Sequence, residues 1–468
     1  MTDQFDVVVL GGGPGGYPAA VRAAQLGRRV AIVEGEQIGG MCLHRGCIPT
    51  KALLHVAETL RALRDCATLG IDVSTPRLDV GRMAGYRNSV IHRLHGGVQR
   101  LLRQHDITVI KGWGHLVGPS SLEVVDEDAR PIAQVSGGDL ILATGSRPRS
   151  LRGLAFDGST ILSSDHAATL DVLPESIIIV GAGAVGVEFA SFYTDAGVAA
   201  VTLVEMLPRI LPMEDAEVSS EVERQLKVRG VRILTGASVR SESVVIGRGQ
   251  LVCTVDSPDG PEQLHASMML VAAGREAITQ DLGLEDLGVA FDGGFVRVDG
   301  WMRTNVPHLY AVGDVAGEPL LAHKATAEGR LAAEVIAGQA ETPLRYDLIP
   351  RCTYSYPEVG SFGLSEEAAI AGGYSVAVGR FPLAANSRSA IEHERGGFVK
   401  FVMESGTEQI LGLHAVGPTV CELIAGGVIA GNLDSTPLEI ARSIHPHPTI
   451  SEAFAEAAAA LYGMATHA

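Results

Sequence analysis

Asp6-Val-Val-Val-Leu-Gly-Gly-Gly-Pro-Gly-Gly16 is the stretch that decides the fold. Asp6 to Leu10 is a short apolar, β-branched run, the pattern of a strand buried on both faces of a parallel sheet. It leads into a GxGxxG (Gly11, Gly13, Gly16) and then into a helical pattern from Ala19 to Leu26. A second strand, Arg29 to Val33, ends at Glu34. Each part has a task in dinucleotide binding. Gly11 permits the tight turn, Gly13 lets the backbone approach a pyrophosphate, and Gly16 lets helix and strand pack closely. The helix N-terminus then faces the phosphates, and Glu34 is placed to take a ribose 2′-hydroxyl. Pro18 is tolerated only in the first helical turn, where this reading sets it.

The unit recurs. Ser176 to Val180 is a strand, Gly181-Ala-Gly183-Ala-Val-Gly186 the fingerprint, Val187 to Ala196 a helix, and Val201 to Val204 a strand ending at Glu205. One fingerprint alone is also the mark of a plain strand-to-helix turn; two full units predict two dinucleotide sites. Glu205 selects NAD, because a carboxylate repels the 2′-phosphate of NADP. Arg209, behind Met206-Leu-Pro208, is a poor substitute for an arginine cluster.

Gly39-Gly-Met-Cys42-Leu-His-Arg-Gly-Cys47-Ile-Pro-Thr-Lys51 follows the first unit. Residues five apart in a regular helix are separated by about 7.5 Å along the axis, and a disulfide needs Cα atoms within about 7 Å. Either the segment is distorted, with Gly46 giving the freedom, or Cys42 precedes the regular helix. A disulfide held there is expected to be strained and easily reduced; the other reading is two buried thiols that never pair.

Composition bounds the rest. A chain of 468 residues exceeds a single core and predicts about three domains. It is 46% hydrophobic and 19% charged with a net charge of −17, which speaks against nucleic acid or an anionic membrane but names no partner. The 56 glycines show no collagen-like period and point to many turns and close approaches. The N-terminus MTDQFDVVVL has acids where a signal peptide has Lys or Arg, and no run of about 18 apolar residues spans a bilayer. Six cysteines are too few for a disulfide scaffold in a chain of this size. A soluble cytoplasmic protein without a metal site is expected, with Cys66, Cys253, Cys352 and Cys421 reduced and structural.

Further motifs complete the pattern: Ala143-Thr-Gly-Ser146, Val271-Ala-Ala-Gly-Arg275, Tyr310-Ala-Val-Gly-Asp-Val315, Leu321-Ala-His-Lys-Ala325 and His445-Pro-His-Pro-Thr-Ile-Ser-Glu452. With the cysteine segment, they make the chain resemble, over essentially its whole length, the pyridine nucleotide–disulfide oxidoreductases, flavoproteins of the glutathione reductase class. The resemblance implies an α/β fold of two Rossmann-like domains, the NAD domain inserted in the FAD domain, plus a C-terminal α+β dimerisation domain. The expected spans are 1–149 for the first FAD part (with a helical region from Val56 to Gln104), 150–274 for NAD, 275–347 for the second FAD part and 348–468 for the interface.

It also implies a site. FAD would lie on Gly11, Gly13, Gly16, Glu34, Gly40, Met41, Lys51, Gly114, Thr144, Gly145 and Ser146. Asp314 would bind the ribityl chain, and Leu321, Ala322 and His323 would face the flavin pyrimidine from a helix start. NAD would lie on Gly181, Gly183, Gly186, Glu188, Glu205, Val239 and Gly274. Lys51 would pair with Glu188 near the flavin. His447, oriented by Glu452, would be the base supplied to Cys42 of the other subunit of a homodimer; His445 matches a position the family does not use for proton transfer. The implied reaction is oxidation of a protein-bound dihydrolipoamide by NAD⁺ through a Cys42–Cys47 disulfide, on a lipoyl domain or carrier protein.

Rivals lose on details. The tail Leu461-Tyr-Gly-Met-Ala-Thr-His-Ala468 has no cysteine for a C-terminal redox pair, Glu205 stands where an NADPH enzyme needs arginines, and both active cysteines are present. A redox sensor that turns over nothing would not need His447 and Glu452. Two departures stand out. His44-Arg45 replaces the common Asn-Val and reads as added positive charge or as two exposed side chains. Ala277-Ile278 replaces Pro-Asn, putting that asparagine's hydrogen bonds in doubt.

Overall fold

The computed structural model describes residues 3–247, 249–393 and 396–467. The chain forms two compact units, one of Met1–Ala52, Arg82–Arg149 and Arg275–Leu344, the other of Leu53–Gly81, Ser150–Gly274 and Arg345–Ala468.

In the first unit the strand Asp3–Leu10 lies between Val30–Glu34 and Pro131–Leu142, all parallel. Thr108–Lys111 extends the sheet on one side and Leu309–Ala311 pairs with Pro131–Leu142 on the other. Ser121–Val125 and Trp113–Gly118 continue it antiparallel. Val7, Val8 and Val9 are fully buried, so both faces are covered, as their continuous apolar run predicts. One cover is the helix Gly16–Gln25, which has Pro18 in its first turn and packs against the helix Ala322–Ile336.

The second unit holds a five-stranded parallel sheet in the order Arg232–Leu234, Ala200–Val204, Ser176–Val180, Met268–Val271, Ile161–Ser163. It also holds an antiparallel five-stranded sheet, Arg351–Thr353, Glu358–Gly363, Ile410–Gly417, Phe398–Glu404, Val376–Pro382. Ile410–Gly417 is buried at every position, because the helix Val420–Asn432 is among the elements laid against it. The small face Ala453, Ala457 and Ala458 lets the last helix, Glu452–Ala460, lie close to Val376–Pro382.

Leu53–Gly81, expected inside the span 1–149, packs with the second unit. Arg64 donates to the Asp195 carbonyl at 2.7 Å, and Arg61 lies 3.5 Å from the Asp195 carboxylate with its guanidinium over the Tyr356 ring. Arg229 closes the same carboxylate at 2.5 Å. Burial pushes the Asp195 carboxyl up and outweighs these three cations. Nothing in the spacing of Arg61 and Arg64 distinguishes them from surface charges. No helix among the described residues is long and apolar enough to cross a membrane, and no group of His, Cys, Asp and Glu among them could hold a metal ion.

Candidate active site

A cleft of about 530 Å³ opens in the first unit at the C-terminal ends of its parallel strands, the usual place for a ligand in such a sheet. Gly11, at φ +101°, donates its N–H to Val33 O at 2.8 Å. A side chain on Gly16 would run into the Gly11 carbonyl, so glycine is required where helix and turn touch. Glu34 accepts from Gly12 N and Glu36 N, both at 2.7 Å, which fixes its carboxylate at the strand end. Across the cleft, Asp314 sits in the short turn Gly313–Ala316 and accepts from Ser146 Oγ. Arg275 donates to Ser146 Oγ at 2.7 Å and to its carbonyl at 2.8 Å.

Beneath Asp314 lies a buried ion pair. Lys324 and Glu328, one turn apart on the helix Ala322–Ile336, are 3.2 Å from each other with side chains 1% exposed. Glu328 accepts from Gly313 N at 2.7 Å, while Lys324 donates to Gly313 O at 3.2 Å and Gly317 O at 2.6 Å. Sequence reasoning passed over both; their four-residue spacing was the available signal.

The two cysteines line this cleft and are disulfide-bonded, with Cα atoms 4.7 Å apart. The helix Gly40–His44 ends before Cys47 opens the long helix Cys47–Asp65, so Cys42 does precede the regular helix. At the break, a Cβ on Gly46 would collide with the Met41 side chain and stand 3.4 Å from Cys42 Cα. Lys51 follows Cys47 by one turn of that helix. The His44-Arg45 departure adds neither two free side chains nor a loose positive charge. Arg45 pairs with Glu36 at 2.5 Å. His44 reaches Ile38 O at 2.9 Å and packs edge-on against His95; burial holds its ring below the ordinary histidine value. Ile278 supplies backbone where an asparagine side chain was expected: its carbonyl accepts from Thr144 Oγ1 at 2.7 Å and its N–H donates to Gly145 O at 3.0 Å.

The second fingerprint repeats the first atom for atom. Gly181, at φ +99°, donates to Val204 O at 2.8 Å. Glu205 is buried and accepts from Ala182 N at 2.6 Å and Leu207 N at 2.9 Å. A Cβ on Gly186 would run into the Gly181 carbonyl, whereas one on Gly183, which caps the helix Ala184–Ala196, meets nothing within 4 Å. Arg209 is spoken for by Glu367 at 2.8 Å. Glu188 is buried and accepts from Tyr354 N at 3.0 Å. Val239 lies on the short strand Ser238–Val239, and Gly274 adopts φ +100°.

His447 donates from Nδ1 to Glu452 Oε1, 2.9 Å away, and its side chain is 69% exposed. Thr449 N donates to the other Glu452 oxygen at 2.9 Å. Burial raises the Glu452 carboxyl, but Thr449 N–H and the His447 ring outweigh it and hold it below the usual range. Asn386, buried, donates to Thr449 O at 3.0 Å and pins the loop; no spacing along the chain marks it.

The first cleft thus brings together Gly11, Gly13, Glu34, Gly40, Met41, Cys42, Cys47, Gly114, Thr144, Gly145, Ser146, Asp314 and Ala322. Gly16, Lys51, Leu321 and His323 are not on its wall. A dinucleotide fits it: a Cβ on Gly13 would find only Gly40 Cα, at 3.8 Å, so the turn is open where a pyrophosphate approaches.

Residues 5–329 match the family model "Pyridine nucleotide-disulphide oxidoreductase", and 349–458 match the dimerisation domain of the same family. The chain belongs to this family of FAD- and NAD-binding, homodimeric flavoproteins. It is 41% identical over 474 residues to the dihydrolipoyl dehydrogenase of Bacillus subtilis and 43% identical over 470 residues to that of Zymomonas mobilis, covering 100% of both chains in each case. The crystal structure of LpdA from Mycobacterium tuberculosis superposes with a TM-score of 0.90 at 28% identity, over 98% of this chain and 99% of that one.

Proposed function

We propose that this chain oxidises dihydrolipoyl groups carried on a lipoyl domain or carrier protein, with NAD⁺ as acceptor. The observation that carries the reading is the Cys42–Cys47 disulfide on the wall of the first dinucleotide cleft. When bound, FAD supplies the two-electron relay between this disulfide and NAD⁺. Glu34, Asp314 and the turn from Gly11 to Gly16 would hold it; Gly181 to Gly186 and Glu205 would hold NAD.

The residues of the chain do the rest. His447, presented to Cys42 of the other subunit, takes a proton from the substrate dithiol at Nε2 while Glu452 steadies Nδ1. The substrate thiolate attacks Cys42 Sγ, the Cys42–Cys47 bond breaks, and Cys47 leaves as a thiolate. The second substrate thiol then attacks the substrate sulfur bound to Cys42. This closes the cyclic disulfide; the departing Cys42 sulfur takes the proton of that second thiol, and His447 keeps the first. A cytoplasmic setting goes with this reading, in keeping with four further cysteines left as free thiols.

The test is to supply purified yellow protein with dihydrolipoamide and either NAD⁺ or NADP⁺, following the reduced nucleotide. Turnover with NAD⁺ is expected. No turnover with either, or a strong NADP⁺ preference, overturns the reading.

A further inference from the structure

Two of the four free cysteines share one pocket of the antiparallel sheet in the second unit. Cys352 lies on the edge strand Arg351–Thr353, and Cys421 in the first turn of the helix Val420–Asn432. Cys352 Sγ is 3.9 Å from Cys421 O, and Cys421 Sγ is 3.8 Å from Thr353 O and 3.3 Å from Val359 O. Each sulfur therefore reaches the backbone of the other's segment. The approach is close because Gly360, opposite Cys352 in the sheet, leaves room: a Cβ there would stand 2.9 Å from Val420 O.

The peptide unit between residues 353 and 354 has two clients. Its carbonyl, on Thr353, accepts from the Cys421 thiol, and its N–H, on Tyr354, donates to Glu188 Oε1 at 3.0 Å. Glu188 sits on the helix Ala184–Ala196 that opens at the NAD fingerprint. A change in the sulfur chemistry is thus one peptide plane away from a carboxylate on the nucleotide helix.

We propose that Cys352 and Cys421 form a second, reversible disulfide when the enzyme meets a peroxide, and that this link resets the peptide unit holding Glu188. Cys352, half-buried, is the attacking thiol: its thiolate sulfur displaces hydroxide from hydrogen peroxide and becomes a sulfenic acid. The Cys421 sulfur attacks that sulfenic sulfur, water leaves, and the two thiols have given two electrons to one peroxide. The order follows from the contact between them. Contact with Cys421 holds the Cys352 thiol below its usual value, while the same contact and burial drive Cys421 up. Once oxidised, Cys421 has no S–H to give to Thr353 O, and a dithiol reductant restores it. Cys66 and Cys253 lack this arrangement; Cys253 is fully buried, and burial pushes its thiol up to about 11.

The linkage does not depend on the activity proposed above; only its effect on turnover does. Holoenzyme with Cys42–Cys47 oxidised is titrated with hydrogen peroxide, cleared with catalase, alkylated under denaturing conditions and mapped without reduction by mass spectrometry. The expected map joins the peptides carrying Cys352 and Cys421 within one chain, with Cys66 and Cys253 alkylated. Turnover with NAD⁺ falls by about fivefold or more, the range of an ordinary coupling between sites, and dithiothreitol restores it. Cys352→Ser keeps its turnover through the treatment. Cys421→Ser leaves a sulfenic acid on Cys352 that dimedone captures. Loss of Cys66 or Cys253 in place of the pair, or linkage only between copies, overturns the proposal. Linked enzyme with unchanged turnover overturns the coupling to Glu188. An enzyme inactive before any peroxide fails the functional reading, and the peptide map still decides the disulfide.

Discussion

Replacing Glu328 by Leu strands a lysine. Lys324 and Glu328 are each about 1% exposed, and the carboxylate also satisfies Gly313 N–H directly before Asp314. Breaking a buried pair by removing one partner costs about 3–5 kcal/mol, because the remaining charge is left uncompensated. Lys324 keeps two carbonyl partners, Gly313 O and Gly317 O, which places the expected loss toward the lower end. At about 2–4 °C per kcal/mol for a domain of this size, the melting temperature drops by roughly 6–20 °C. The double variant Lys324→Met, Glu328→Leu removes the stranded charge. It also takes Lys324 from Gly313 O and Gly317 O and leaves Gly313 N–H unpaired, at about 1–3 kcal/mol for each group, so the two effects offset and the double variant is expected to melt close to the single one. The readout is flavin fluorescence on heating, which reports the unit that carries Asp314 rather than the whole chain. A single variant that releases flavin within 2 °C of the parent, or a double variant restored to the parent's melting temperature, refutes the reasoning.

Three further outcomes are expected. His447→Gln retains flavin and dimer but loses about 10²–10⁴-fold in dithiol turnover, measured by steady-state kinetics; full activity means that the base is elsewhere. Gly186→Ala pushes its methyl into the Gly181 carbonyl, a clash of about 1–3 kcal/mol that raises the KM for NAD⁺ several-fold while FAD content, read from absorbance, stays at the parent level. Glu452 has a lowered folded-state pKa, so its contribution to stability is complete above its unfolded value of about 4.3 and is lost as the pH falls through the folded one; the melting difference between the parent and Glu452→Gln should be present at about pH 6 and shrink as the pH falls below the unfolded value, and a difference growing toward acid pH contradicts the sign.

How far the fold was legible depended on whether its signal was local. The two strand–turn–helix units carry their instructions within about thirty residues each, since a continuous apolar run, three glycines and a terminal acid suffice to specify a buried strand, a tight turn and a close helix. Ser176–Val180 accordingly matches the expected strand to the residue. The strand Leu309–Ala311 is different. It joins the first sheet beside Pro131–Leu142, some 170 residues earlier in the chain, and only the resemblance brought it there. Arg61 and Arg64 were wholly silent: their partner Asp195 is 131 residues from Arg64, and no periodicity encodes such a distance.

The site divides along the same line, and the division says what kind of residue a sequence conceals. Cys42, Cys47, Glu34, Glu205, His447 and Glu452 announce themselves because their chemistry is tied to a fixed spacing: Glu452 stands five residues from His447 and reaches Nδ1 without any help from elsewhere in the chain. Arg275, Asn386, Lys324 and Glu328 act by satisfying backbone or other side chains, so their type alone says nothing until the loops they hold are in place. The departures teach the converse. Arg45 looked like free charge near a reactive cysteine, yet Glu36, nine residues back, neutralises it at 2.5 Å. Ile278 has no hydrogen-bonding side chain, and its contacts with Thr144 and Gly145 are made by its backbone. A substitution at a motif position removes a side chain and leaves the peptide, whose own hydrogen bonds do not depend on the residue type. The same logic governs Thr353 and Tyr354, whose shared peptide unit joins Cys421 to Glu188 through its carbonyl and its N–H.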